Sequence, residues 1–392
     1  MTQSFDAVIV GGGLFGAFTG LFLTRMGKRV ALVERGHVGA QSSGANFGKL
    51  RLQGRAIEQY PLSLAAQSHW ENFESLTGEG CEYDRTGMIY LASSPDGRQK
   101  LLKYAQNSLA CGLEVEVVEG EALRRKMPWL AAQDGMIASC STRCAVANPR
   151  LGTPAVVRAM LRGGGVLFDN AEVTRIAHGS NGFTLSGPTL DTVSAPVLVN
   201  AAGAWAAAIC AQFGEEVPLI AAGPPQFVTE PLPYTLRPSL YTIEGDLLLR
   251  QIPRGNFIFA GYPRTLANAD GEHTLVPPQK TLAGMRSVAR KLPFLRHAEV
   301  IRVWSGVEGY LPDMLPVLGP SQTTPGLFHA FGGSGGGFQI APAVGENLAY
   351  QICGRPPPVD LTRYSIGRFS SNLVVSEKMT SEFDPSGYDR RC

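Results

Sequence analysis

The run Ala7-Val8-Ile9-Val10 stops at Gly11-Gly12-Gly13-Leu14-Phe15-Gly16, and this junction restricts the fold of the chain more than any other feature. Four consecutive apolar residues without polar alternation mark a strand buried on both faces. Leu14 to Met26 follows helical periodicity up to Gly27, and Arg29 to Val33 reads as a second strand. Strand, glycine turn, helix and strand within roughly thirty residues make the βαβ unit that binds dinucleotides. Gly11 allows the tight turn, Gly13 lets a pyrophosphate approach the backbone, and Gly16 lets the helix pack close to the sheet. The helix N-terminus, at Leu14 and Phe15, offers unpaired N–H groups and positive dipole to phosphate. Glu34 ends the second strand, where a carboxylate can accept both ribose hydroxyls. A glycine turn of purely structural purpose does not explain that acid.

The following stretch, Arg35-Gly36-His37-Val38-Gly39-Ala40-Gln41-Ser42-Ser43-Gly44, favours FAD over a nicotinamide nucleotide. Small residues and hydroxyls directly after the ribose acid suit a loop that wraps the pyrophosphate and leads toward a flavin ring. A nicotinamide dehydrogenase usually continues into another βα unit. Val197-Leu198-Val199-Asn200 runs into Ala201-Ala202-Gly203-Ala204-Trp205, a small-residue turn that could pack beside the adenosine. Read alone, an ordinary strand-to-helix turn explains it equally well.

At 392 residues the chain exceeds what one core sustains, so two packed domains are expected. A hydrophobic share of 44% with 17% charged residues suits a buried globular enzyme and excludes general disorder. With a net charge of only +2, the short basic cluster Arg124-Arg125-Lys126 reads as a solvated helix face rather than a nucleic-acid footprint. Seven scattered cysteines, of which Cys140 and Cys144 alone are close, lack the ligand spacing of zinc or an iron–sulfur cluster. Reduced thiols in a cytoplasmic, bacterial chain are expected. Residues 7–24 are nearly uncharged, yet no basic stretch precedes them and glycines interrupt them, so neither a signal peptide nor a membrane span is read there. Gly87 to Ala92 and Asn256 to Tyr262 alternate as strands, 219–262 looks largely antiparallel, and 99–112 and 279–291 read as helices. From Ser371 onward the chain turns polar (Glu377, Lys378, Glu382, Asp384, Asp389, Arg390, Arg391), which predicts a tail that is disordered or folds against a partner.

Over roughly residues 5–365 these features resemble the D-amino-acid oxidase/glycine oxidase/sarcosine oxidase superfamily of FAD-dependent amine oxidoreductases. The resemblance includes Gly223-Pro224-Pro225-Gln226-Phe227-Val228-Thr229-Glu230-Pro231, Leu311 to Pro320, and Leu327 to Gly337 with Phe338-Gln339-Ile340-Ala341-Pro342. Ser42 to Arg55 and Trp304-Ser305-Gly306-Val307-Glu308-Gly309-Tyr310 look most like the B (β) subunits of opine oxidases or dehydrogenases. Similar subunits act on sarcosine or D-hydroxyproline. The resemblance implies an α/β plus α+β fold: a Rossmann-type FAD-binding domain (1–84, 146–218 and 312–366) interleaved with a substrate-binding domain (85–145 and 219–311) on a mixed, largely antiparallel sheet, followed by a tail (367–392). It implies oxidation of a secondary amine such as octopine or nopaline by hydride transfer to flavin N5. The imine is then hydrolysed to an amino acid and a 2-oxo acid. It further implies a heteromer, with an α subunit that binds flavin (FMN being a candidate at a subunit interface) and a [2Fe–2S] centre on a partner chain. A stand-alone sarcosine-, D-hydroxyproline- or glycine-type oxidase is the alternative, and a non-catalytic flavoprotein scaffold a remote one.

By the same resemblance, Ser42, Ser43, Gly44, Asn46, Phe47, Gly48 and Lys49 reach one face of the flavin. Lys49 would stabilise the reduced ring, although a solvated loop lysine explains it too. Gly332, Gly333, Ser334, Gly335, Gly336 and Gly337, leading to Phe338, would bring backbone N–H groups to the pyrimidine edge. Arg35, Ala201, Ala202, Gly203 and Trp205 join the FAD set. Many relatives place a carboxylate-clamping arginine where this chain has Glu308. Glu308 could pair with a cationic arm of the substrate, or form a structural salt bridge. Lys49, Arg51, Arg250 and Arg264 are then the candidates for substrate carboxylate, and Tyr262, Trp304 and Tyr310 for cavity walls, though such aromatics are often plain core. Relatives that bind FAD covalently use a cysteine near the position of Ser305, so non-covalent FAD is expected here.

Overall fold

The computed structural model describes residues 2–260, 264–268, 271–370 and 374–383. The apolar runs build the first sheet. Ala7–Val10 pairs in parallel with Val30–Val33 on one side and Val197–Asn200 on the other. Val166–Phe168 extends it past Val30–Val33; Leu327–Phe331 and an antiparallel Val317–Pro320 extend it past Val197–Asn200. Register positions the site. Val10 lies level with both Val33 and Asn200, so Gly11, Glu34 and Ala201 leave the sheet side by side at its carboxyl edge. That edge is where open parallel sheets carry their ligands.

The glycine-turn helix, Leu14–Arg25, is buried from Leu14 to Thr24 apart from Phe15. It packs on Gly337–Ile352, and Gly345 lets the two helices touch, since a Cβ there would stand 2.5 Å from the Phe18 backbone and Cβ. Trp70 stacks on Phe73 at 5.4 Å, and both turn edges to Phe18, sealing the same core.

The second sheet has eight strands in the order Val300–Trp304, Gln226–Pro231, Asn256–Ala260, Leu248–Gln251, Ser239–Thr242, Met88–Ala92, Ile137–Ser141 and Glu116–Glu119. Ser239–Thr242 and Met88–Ala92 are parallel and every other pair is antiparallel. Met88–Ala92, within the stretch read as an alternating strand, is buried on both faces. Ile89 and Leu91 pack toward Phe227 and Leu240, while Met88, Tyr90 and Ala92 meet Leu101. Helices Pro95–Ala110 and Pro278–Lys291 begin a turn or a residue earlier than their periodicity suggests, each with proline in its first turn, where the missing N–H costs nothing. Arg124, Arg125 and Lys126 lie exposed on Gly120–Lys126.

The tail departs from expectation. Residues 374–383 fold onto their own chain: Ser376 N–H donates to Pro312 O at 2.9 Å, and the Phe383 ring stands edge-on to Tyr310 at 4.9 Å. Met379 packs into the same apolar group. Two hydrophobic side chains among the charges give this segment something to bury. Asp384, Asp389, Arg390 and Arg391 lie outside the described residues. No described helix is long and apolar enough to cross a membrane.

Candidate active site

A cleft of about 900 Å³ begins at the carboxyl edge of the parallel sheet and reaches the second sheet. Its first end is built from backbone. Gly11 has φ +111°, and a Cβ there would lie 2.3 Å from Ala201 O, so the turn admits glycine alone. A Cβ on Gly16 would strike Gly11 O at 2.1 Å. The helix starting at Leu14 has no cap from its own N-cap residue; Leu14 N–H instead donates to Ser43 Oγ at 2.8 Å. Glu34 Oε2 accepts from Gly12 N–H at 2.7 Å and Oε1 from Gly36 N–H at 2.8 Å, which fixes the carboxylate at the strand end. Arg35 grips Glu272 with two bonds of 2.6 Å and stacks 4.1 Å from the Trp205 ring. Trp205 Nε1 is buried without an acceptor among the described residues. Helix N-terminus, glycine approach, ribose acid and orphaned indole N–H together fit a dinucleotide.

Two loops face each other further along. Residues 42–45 make one helical turn, which Asn46 locks by donating to Ser42 O and Ser43 O and accepting from Gly48 N–H. Ala45 O is held from the second sheet by Gln226 Nε2 and Trp304 Nε1. Opposite, Gly332–Gly337 opens the helix Gly337–Ile352, which likewise lacks a side-chain cap. Within that run Ser334 takes φ +47°, unusual for a residue with a Cβ. Its hydroxyl accepts from Leu311 N–H and donates to Gly332 O, which pins the strained turn.

Cations gather at the far end. Lys49, 8% exposed, donates to Gly87 O at 3.0 Å. Burial lowers its pKa to about 8; the Cys144 thiol pulls it up, while the Arg250 and Arg51 guanidinium groups push it down. Arg250, 7% exposed, lies 5.7 Å from the Phe47 ring, and its buried Nε has no acceptor among the described residues. Its pKa falls to about 10, chiefly through burial. Arg55 is 2% exposed and lowered to about 9 by burial and then by Arg51. Arg51 donates to Gln53 O, Gly54 O and Tyr90 Oη. Arg264 lies 4.6 Å from the Tyr310 ring, and Tyr310 donates its hydroxyl to Glu308. A buried cation without a paired anion carries a desolvation penalty that an anionic ligand relieves.

Of the residues expected at the flavin, Gly11, Gly13, Leu14, Phe15, Glu34, Arg35, Ser42, Ser43, Asn46, Phe47, Lys49, Ala201, Ala202, Gly203, Trp205, Gly332, Gly333, Gly335, Gly336, Gly337 and Phe338 line the cleft. Gly16, Gly44 and Gly48 stand behind it, where their lack of a side chain serves backbone packing. Ser334, Glu308, Arg51 and Arg264 also line it. Trp304 and Tyr310, expected as walls, do not. Trp304 braces the Ala45 loop, and Tyr310 is fully buried beneath Arg264. Arg250 sits one layer back, behind Phe47. Tyr262 lies outside the described residues. The sequence reading passed over Arg55, the Ala171–Val173 segment beside Glu34, Lys100 and Lys103 on the Pro95–Ala110 helix, and the tail residues Ser376–Lys378, all of which line the cleft. Arg55 lies four residues past Arg51, but its burial depends on Gln339, far along the chain. No described cysteine borders the cleft.

Residues 6–351 match the family described as DAO, FAD dependent oxidoreductase. Glycine oxidase of Geobacillus kaustophilus (strain HTA426) is 28% identical over 395 residues, covering 96% of this chain and 100% of its own. N-methyl-L-tryptophan oxidase of Salmonella agona (strain SL483) is 25% identical, covering 94% of this chain and 100% of its own. The crystal structure of the Geobacillus kaustophilus glycine oxidase superposes with a TM-score of 0.86 at 24% identity, over 94% of this chain and 99% of that one.

Proposed function

The chain belongs to the DAO family of FAD-dependent oxidoreductases, and from that premise we propose that it oxidises a secondary amine bearing carboxylate, with an opine of the octopine or nopaline type as substrate. The carrying observation is the set of buried cations that form no ion pair among the described residues: Lys49 and Arg55 on the wall at the far end of the dinucleotide cleft, and Arg250 one layer behind it. FAD, when bound, supplies a two-electron acceptor for the hydride of the carbon next to nitrogen. The cradle at Gly11, Gly13 and Glu34 would hold it, with the Ser42–Lys49 loop and Gly332–Gly337 on either side of the ring.

In this reading Arg51, on the cleft wall, draws the substrate carboxylate and orients the amine, Arg250 adds positive charge from behind Phe47, and positioning supplies much of the rate. Glu308, held by the Tyr310 hydroxyl, receives a guanidinium or ammonium arm. Lys49 places positive charge beside the reacting centre, where negative charge develops. Gly333 and Ser334 contribute a pinned turn that would face the cofactor. Water completes the sequence by hydrolysing the imine to an amino acid and a 2-oxo acid.

A heteromeric β subunit, working with an α subunit and an iron–sulfur partner, is the finer form of this reading. The motif resemblance supports it, as does the edge strand Val300–Trp304, which leaves Ile301 and Val303 in water. Anaerobic mixing of the FAD-loaded protein with octopine, nopaline, sarcosine and D-proline tests the assignment. Bleaching fastest with an opine is expected. Bleaching by sarcosine or D-proline alone selects the simpler amine oxidase, and bleaching by none refutes amine oxidation.

A further inference from the structure

Arg55 is held more rigidly than a cation needs to be for packing. Its Nε donates to Arg51 O at 2.8 Å and its Nη2 to Gln339 Oε1 at 2.9 Å. Gln339 cannot turn away, because its own Nε2 donates to Ser63 O at 2.7 Å. Two fixed bonds set the plane of the guanidinium and leave Nη1 with no hydrogen bond among the described residues. Nη1 lies 3.1 Å from where a Cβ of residue 336 would stand, and that residue is glycine, so the approach to Nη1 from the cleft stays clear. No described carboxylate pairs with Arg55, although its side chain is almost wholly buried and borders the cleft. The position also differs from that of Arg250. Arg250 lies behind Phe47 and Gly48, whereas Arg55 lies against Gly336 and Gln339. Burial lowers the Arg55 pKa, as expected of a cation awaiting an anion.

We propose that the Nη1 edge of Arg55, beneath Gly336, is a second anion subsite that takes the second carboxylate of a substrate in which two carboxylate-bearing carbons flank the amine nitrogen. The proposal rests on the amine-oxidation reading, in which octopine and nopaline are themselves such iminodicarboxylates, and assigns the group that takes their second carboxylate. A planar guanidinium with one open edge recognises a carboxylate by direction as well as charge. The bound form of such a substrate is stretched between two cations, which centres its C–N–C unit in the cleft. A monocarboxylate amine fills one subsite and leaves the other cation unpaired.

Glutarate and butyrate test this without turnover, because neither carries an amine. Glutarate copies the length of an iminodicarboxylate and butyrate lacks its second carboxylate. Each is titrated into the FAD-loaded protein while the flavin spectrum is followed. Glutarate is expected to bind about 10- to 100-fold tighter than butyrate, the gain expected from one charge-assisted hydrogen bond, and Arg55→Met to remove most of that preference. Arg55→Lys should recover part of it. Equal affinities in the unaltered protein overturn the proposal, and this arm needs no variant to fold. A preference that survives in Arg55→Met also overturns it. So does a variant whose affinity for sulfite, an anion that adds to the flavin, falls while the glutarate preference stays, since Arg55 would then serve the flavin. A glutarate preference in a protein whose flavin no amine bleaches would keep the subsite and discard amine oxidation.

Discussion

At the sheet edge, negative charge would be met by backbone N–H groups within residues 11–15. At the far end it would be met by the side chains of Lys49, Arg51, Arg55 and Arg264 on the wall, with Arg250 one layer behind. The first arrangement stands without its ligand, because Ser43 Oγ occupies one helix N–H and Glu34 is satisfied by Gly12 and Gly36. The second does not reach balance alone: Lys49, Arg55 and Arg250 are buried with no anion paired to them among the described residues. Geometry is therefore the vulnerable property of one end, and charge that of the other.

Changing the shape of the first end should have the largest effect. In Gly11→Val the side chain would enter Ala201 O and force a left-handed φ on a branched residue. Strain of about 1–3 kcal/mol, before the clash is counted, corresponds to roughly 5- to 150-fold weaker FAD binding. Fluorescence titration with FAD measures this, and unchanged affinity would break the distinction between the two ends.

A smaller effect, and one of charge alone, should come from pH at the other end. Lys49 is protonated below about 8 and loses its proton above. An anion beside it favours the protonated form, so butyrate affinity should be level below pH 8. It should then fall as pH rises toward 10, by at most about tenfold per unit. Lys49→Met should flatten that fall. Affinity that rises over the same interval, or a variant with the unaltered profile, would remove Lys49 from the anion site.

The same contrast explains what could be read from the chain. Strand, glycines, helix and Glu34 are contiguous, and each follows from local backbone need, so the dinucleotide end was legible. The mixed second sheet followed from the family motifs, from the alternation at 87–92 and 256–262 and from the antiparallel look of 219–262, although the double burial of Met88–Ala92 depends on helix packing that alternation does not encode. Lys49 and Arg51 stood out as cations near a flavin-loop motif. Arg55 did not, because its meaning comes from Gln339 and Gly336, nearly three hundred residues away. Trp304 and Tyr310 were assigned to the cavity by type alone, yet an aromatic ring serves equally well as a brace. The tail was read from its charges, while Met379 and Phe383 decide where it lies.

The central claim is that this cleft holds FAD without a covalent bond, with its cationic end facing the reacting ring. Acid precipitation of the purified protein, followed by quantification of flavin in supernatant and pellet, tests it most directly. One FAD per chain, all released to the supernatant, is the predicted result. Flavin retained in the pellet would contradict the non-covalent site, and a folded chain that stays colourless after incubation with excess FAD would contradict the cleft assignment itself.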